Sequence, residues 1–171
     1  MQKKKYLLLV MIFSSIVWVS CKNDRIQKEL FMDFKIKFAD SILKSKADKS
    51  HYQYDALSIQ ESFFVDCKLK YLIIKSSGEL TDFEQLIEFE NDSIKSMIEH
   101  KIIYKGNDNG KQAGRTGDIE KDTIFITDFK MRSEKIYITN KLKESIYRKK
   151  LTKNRFIYKV KENTETNYSC R

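Results

Sequence analysis

Hydrophobic and polar positions divide the chain into one continuous apolar run, two stretches of helical spacing and a late region of alternation. The run is Tyr6 to Val19 (YLLLVMIFSSIVWV), interrupted by Ser14 and Ser15. It falls short of the about 20 apolar residues that a membrane-crossing helix needs. Further on, Ile26, Leu30, Phe34, Phe38 and Ile42 recur every four residues, with Phe31 beside them. This stripe predicts a helix running to about Lys46, opened by Asp24 with Gln27 completing a capping box. Met32 and Ile36 fall off the stripe, which predicts cover on two sides of that helix. Ser45 to Tyr54 is polar and reads as a loop. From Asp66 to Lys75, Leu69, Tyr71 and Ile73 alternate with Lys68, Lys70 and Leu72, the pattern of a strand, which Ser76-Ser77-Gly78 ends. Thr81 followed by Glu84 is a second capping box. Phe83, Leu86, Ile87, Ile94, Met97 and Ile98 then predict a helix over Asp82 to Glu99, broken near Asn91-Asp92. Ile102-Ile103-Tyr104 reads as a short strand.

The last third alternates. Phe125, Thr127 and Phe129 form one such set, Ile136 and Ile138 a second, and Phe156, Tyr158 and Val160 a third. Short polar separators suit an antiparallel meander. Lys141 to Lys150 suits a helix through Leu142 and Ile146 or a hairpin strand, and the strand is the preferred reading. Four of the five glycines fall between Gly106 and Gly117, the clearest loop in the chain. The fold class expected is α+β, with an N-terminal helix and a second helical region packed on a mostly antiparallel sheet.

The first residues carry an address. Lys3, Lys4 and Lys5 precede the apolar run, and Ser20-Cys21 end it before the polar Lys22-Asn23-Asp24. These are the flanks of a cleaved export signal. Val17-Trp18-Val19-Ser20-Cys21 resembles the lipobox of bacterial lipoproteins, although Trp18 stands where that family usually has Leu, Val or Ile. The resemblance implies a signal peptide over residues 1–20 and a mature single domain over residues 21–171. It further implies a diacylglycerol thioether and an acylated amine on Cys21, enough acyl chains for stable attachment to a membrane. Lys22 replaces the Asp that retains some lipoproteins in the inner membrane, so the resemblance favours the outer membrane, on its periplasmic or its surface face.

Charge changes the picture little. Loss of residues 1–20 removes three lysines and leaves 30 basic against 24 acidic side chains, a net charge of about +6. The late lysines are interrupted by Glu144 and Glu162, which fits a solvated surface, and nucleic acid is not expected as a partner. With Cys21 lipidated, Cys67 and Cys170 remain. A bridge between them would close a loop of about 100 residues and contribute about 4–5 kcal/mol in the chain-entropy treatment. Alternatively, Cys67 is a buried free thiol in an apolar segment and Cys170 belongs to a frayed polar tail.

Motifs for chemistry are sparse. His51 and His100 stand apart from one another, read best as surface or helix-capping residues, and come with no C-x-x-C pair for zinc. The segment from Gly106 to Lys111 misses the Walker spacing and has Gln112 where a Ser or Thr is needed. Asp82, Glu84, Glu88, Glu90 and Asp92 follow the polar side of the expected second helix. The expectation is a lipid-anchored, non-catalytic binding protein of the cell envelope, without cofactor or metal. Its partners would be the membrane, through the anchor, and an unidentified protein, as for a periplasmic immunity or inhibitor-like protein. An accessory subunit of an outer-membrane assembly, or a small envelope hydrolase, are the alternatives.

Overall fold

A computed structural model describes residues 28–106, 115–138, 141–145 and 151–170. The expected signal peptide, Cys21, the expected Asp24 cap and the centre of the glycine-rich loop lie outside them. Helix α1 spans 28–44. Eight strands follow: β1 (Asp48–Ser50), β2 (Ser58–Val65), β3 (Lys68–Ser77), β4 (Thr81–Glu90), β5 (Ser93–Gly106), β6 (Arg115–Asp128), β7 (Ser133–Ile138) and β8 (Lys141–Ser145). Helix α2 (Leu151–Thr166) closes the chain. Every strand pairs antiparallel with its neighbours in sequence, in the order β1 to β8. The fold is α+β, with the two helices flanking an open antiparallel sheet.

The helices cover opposite faces. On one, Phe31 of α1 packs with Leu86 and Ile124, while Leu30, Phe34 and Phe38 lie against Ile73, Ile98 and Ile126. This is the stripe read from the sequence. On the other, Ile157 and Val160 of α2 join Phe64, Leu72, Ile74, Ile87, Phe89 and Met97. A strand between two helix layers is buried on both sides, so it loses its polar positions. Leu86 and Ile87 show this, adjacent in β4, facing opposite ways and both fully buried.

That burial overturns the helix expected over Asp82 to Glu99, which is β4, a turn and β5. Apolar residues in adjacent pairs mimic helical spacing when both faces of a strand are covered. The predicted break at Asn91-Asp92 is a two-residue hairpin turn, with φ of 50° and 61°. Left-handed backbone at both central residues marks the turn type that matches strand twist, and Asn and Asp tolerate it. The strand expected over about Asp66 to Lys75 is β3, which starts two residues later, at Lys68. Asp66 and Cys67 form a second such turn, with φ of 49° and 64°, between β2 and β3. Part of the expected 45–54 loop is the edge strand β1.

The second helix lies where Phe156, Tyr158 and Val160 predicted a strand. Ile157, Val160 and Thr164 are buried, at spacings of three and four, whereas Phe156 and Tyr158 are 42% and 39% exposed. The aromatic alternation therefore crosses the helix surface, and the Tyr158 hydroxyl oxygen accepts from Ile94 N at 3.2 Å.

Of the register shifts in the sheet, two leave a single lysine unpaired. Phe63 and Phe64 face Tyr71 and Leu69, leaving Lys70 extra. Glu88 and Phe89 face Ser96 and Ile94, leaving Lys95 extra. Both bulged lysines meet Glu88, Lys95 at 2.9 Å and Lys70 at 3.7 Å. The Glu88 hydrogen bond raises the Lys95 pKa.

The C-terminal end is fastened in several places. Cys67 and Cys170 are joined, with Cα atoms 5.5 Å apart. Tyr168 stacks on Phe64 with ring centroids 3.7 Å apart. Glu165 Oε1 accepts from Leu69 N at 3.0 Å. Buried Gln60 donates to Ser62 Oγ at 2.7 Å and to Thr164 Oγ1 at 2.8 Å, tying α2 to β2. Burial without such partners would cost about 1–3 kcal/mol per group.

Asp92 adds a titratable fastening between the β4–β5 turn and α2. Its carboxylate lies 3.1 Å from Lys68 Nζ and 3.3 Å from Lys161 Nζ. The hydrogen bond from Lys68, then that from Lys161, holds its pKa below the usual Asp value. A group depressed in this way stabilises the fold above its unfolded pKa, and the contribution is lost as pH falls through the folded one. Carbon NMR of the Asp92 carboxyl is expected to show a midpoint below the ordinary value. In a Lys68→Met, Lys161→Met chain the midpoint should rise toward that value; an unmoved midpoint would refute the assignment.

Candidate binding pocket on the α2 face

Helix α2 does not cover the whole of its sheet face. Its buried residues sit over Leu72, Ile74, Ile87 and Met97, and past Phe156 and Ile157 the next rows of β3, β4 and β5 stay open among the described residues. Strand register sets what lies there. Gln85 pairs with Glu99, and Phe83 pairs with Lys101. Ser76 pairs with Phe83 from the other side. Alternation along each strand therefore aims Phe83, Gln85, Glu99 and Lys101 toward one space.

The result is a cavity of about 450 Å³, within the roughly 300–1,000 Å³ range of ligand pockets. Phe83, Phe156 and Ile157 give it apolar walls. Its floor is polar: Gln85 Nε2 donates to Glu99 Oε2 at 2.6 Å, and both side chains are buried. Lys101 brings an ammonium group to the same space and makes no ion pair among the described residues. At the rim, Gly78 N donates to Thr81 O at 2.7 Å. A Cβ at Gly78 would lie 3.3 Å from that oxygen, so a larger residue there would have to push the Thr81 carbonyl back by a few tenths of an ångström. An apolar pocket with a few placed polar groups can grip a side chain and orient its polar end.

The opposite face carries the second candidate. His100 was expected at the surface or at a helix end; it lies in β5 and is buried, 9% exposed. Its Nε2 is 2.7 Å from Asp122 Oδ1. The Phe31 ring covers it, with centroids 4.5 Å apart. Glu84 is its cross-strand neighbour and is held by Lys35 of α1, with Nζ to Oε1 at 2.9 Å. Although that oxygen is close to the ammonium, the direction is not that of a hydrogen bond, which Oε2 receives at 3.1 Å. A smaller cleft, about 230 Å³, opens beside His100, Glu84, Asp82 and Lys75. This buried, covered cluster serves to fix α1 on the sheet.

Other singled-out residues are dispersed. His51 is exposed before β2. Asp82, Glu84 and Glu88 lie along β4, and Asp92 in the turn after it, rather than on a helix. Tyr104 donates to Asp82 at 2.8 Å. Among the described residues, no group of three or more His, Cys, Asp or Glu side chains could hold a metal ion. No helix among them is long and apolar enough to cross a membrane. The pocket residues carried no signal in the sequence, because Phe83, Gln85, Glu99 and Lys101 meet only through the β4–β5 register. No family model, curated protein or solved structure matches the chain.

Proposed function

We propose that the chain is a lipid-anchored, non-catalytic binding protein of the bacterial cell envelope. In this reading it captures a protein partner by taking one apolar side chain into the α2-face pocket. The observation that carries it is the pocket itself, with aromatic walls, a hydrogen-bonded Gln85–Glu99 floor and Lys101 at one side. Lys101 would receive a carboxylate or carbonyl next to the inserted side chain. The scaffold beneath is clamped by the Cys67–Cys170 disulfide, a bond that persists in oxidising compartments. The Ser20-Cys21 end of the signal supports the tether. Neutralisation of a toxin or hydrolase arriving at the envelope is one form such binding would take.

The test uses the full chain in its native membrane. A photo-crosslinking residue at Phe156, on the pocket wall, is expected to capture one defined protein. The same group at Met131, exposed in the β6–β7 turn, should not. Lys101→Glu should abolish the Phe156 adduct. Equal capture from both positions, or an adduct indifferent to Lys101→Glu, would reject the pocket. In parallel, Cys21→Ala should release the protein from membranes and remove lipid labelling; retention of both would reject the anchor.

A further inference from the structure

Helix α1 has two apolar stripes, and the sheet covers one. The second comprises Met32, Ile36, Ala39 and Leu43, on the solvent side. Met32, Ile36 and Leu43 are 45%, 57% and 75% exposed. Their spacings of four, three and four residues are those of a coiled-coil seam, with Met32 and Ala39 at d and Ile36 and Leu43 at a. This is a narrow stripe of strict heptad period, unlike the broad stripe that docks a helix on a sheet.

The borders of the seam are charged in a matching way. Lys28 and Lys35 occupy the first two g positions, and Asp33 and Asp40 occupy e positions; the third g, Ile42, is buried on the sheet, and Glu29 at the preceding a position ends the apolar seam at Met32. In a parallel pair, g of one helix faces e of the next heptad on the other. Lys28 then meets Asp33 of a second copy, and Lys35 meets Asp40. In an antiparallel pair, g faces g and e faces e, so like charges oppose. Lys35 also serves Glu84 of its own chain, at 2.9 Å, which leaves Lys28–Asp33 as the unshared contact.

We infer that the outer face of α1 is a parallel homodimer seam, occupied by the same face of a second copy of this chain. A membrane surface fits less well, because an anionic bilayer would attract Lys28 but repel Asp33 and Asp40. A second copy satisfies both borders. The helix is short for a coiled coil, but the sheet already holds it helical, so pairing does not bear the cost of ordering it. The inference rests on the proposed tether for one point only: Cys21 lies seven residues before Lys28, at most about 25 Å of chain. Two tethered copies thus present α1 to one another in the same direction and at raised effective concentration.

The test is oxidative cross-linking of the full-length lipidated chain in membranes. With Cys67 and Cys170 bridged and Cys21 acylated, Ile36→Cys introduces a single thiol at a seam position. Lys37→Cys places one on the exposed border away from it. Ile36→Cys is expected to give several-fold more covalent dimer than Lys37→Cys. Adding Lys28→Asp should lower that yield, and adding Asp33→Lys as well should restore it. Equal yields at both positions, no dimer, or no rescue by the charge swap would overturn the seam. So would loss of anionic-vesicle binding in Ile36→Lys without cross-linked dimer, which would assign the face to the bilayer. If Cys21→Ala stays on membranes, the tether reading fails separately; the purified chain at high concentration then still tests the seam.

Discussion

Cys170→Ala is expected to lower the free energy of unfolding by about 2–5 kcal/mol. The bridge joins residues 103 apart in sequence, so it constrains most of the chain in the unfolded state. A loop of this size sits near the top of that range in the chain-entropy treatment, at about 4.7 kcal/mol. The native fold should survive the loss, because α2 keeps Ile157 and Val160 in the core and Gln60 holds Thr164 at 2.8 Å. Urea unfolding of the native chain, the reduced chain and Cys170→Ala would check this. The reduced chain and the variant should share a lowered midpoint. An unchanged midpoint in both would mean that the bridge contributes nothing.

Phe64→Ala should cost as much or more, about 3–5 kcal/mol. Phe64 is 1% exposed, part of the α2-face core, and its ring is stacked on Tyr168. Removing it leaves a void that the sheet cannot close, because β2 is held between β1 and β3. Tyr168 stands two residues before Cys170, so the stack and the bridge secure the same terminal segment. Their losses should not add: the double variant should fall short of the sum by about 0.5–3 kcal/mol, the range for coupled neighbours. A double-mutant cycle in urea measures this directly. Strict additivity would show that the stack forms independently of the bridge.

The residues explain which parts of this fold could be read in advance. Leu30, Phe34, Phe38 and Ile42 lie on one side of an amphipathic helix with solvent on the other, and their period is plain. The alternations at Phe125–Thr127 and Ile136–Ile138 belong to β6 and β7. Leu86-Ile87 fails as a signal because burial on both faces erases alternation, and the Lys95 bulge shifts the phase of Ile94 against Met97. The local clue was Asn91-Asp92, which reads as a helix break and is the turn between β4 and β5. At Phe156, Tyr158 and Val160, aromatic residues at every second position imitate a strand, although only Val160 of the three is buried. The candidate site was less legible than the fold. Glu99 and Lys101 acquire meaning only opposite Gln85 and Phe83, and His100 only beneath Phe31 and beside Asp122. Those are facts of register and layer order, which no single stretch of sequence contains.

Strand order also governs the sequence of assembly. Since each strand needs only its predecessor, the sheet can grow hairpin by hairpin as the chain emerges with its N-terminus first. The last step is of another kind. Val160 and Ile157 must come back over strands made much earlier, and Cys67 must keep its thiol until Cys170 arrives. Until then the α2 face, with Phe64, Leu72 and Ile87, is bare. The growing sheet is therefore one-sided and sticky until the final helix arrives, and a chaperone that shelters an apolar sheet face would find its client at that stage.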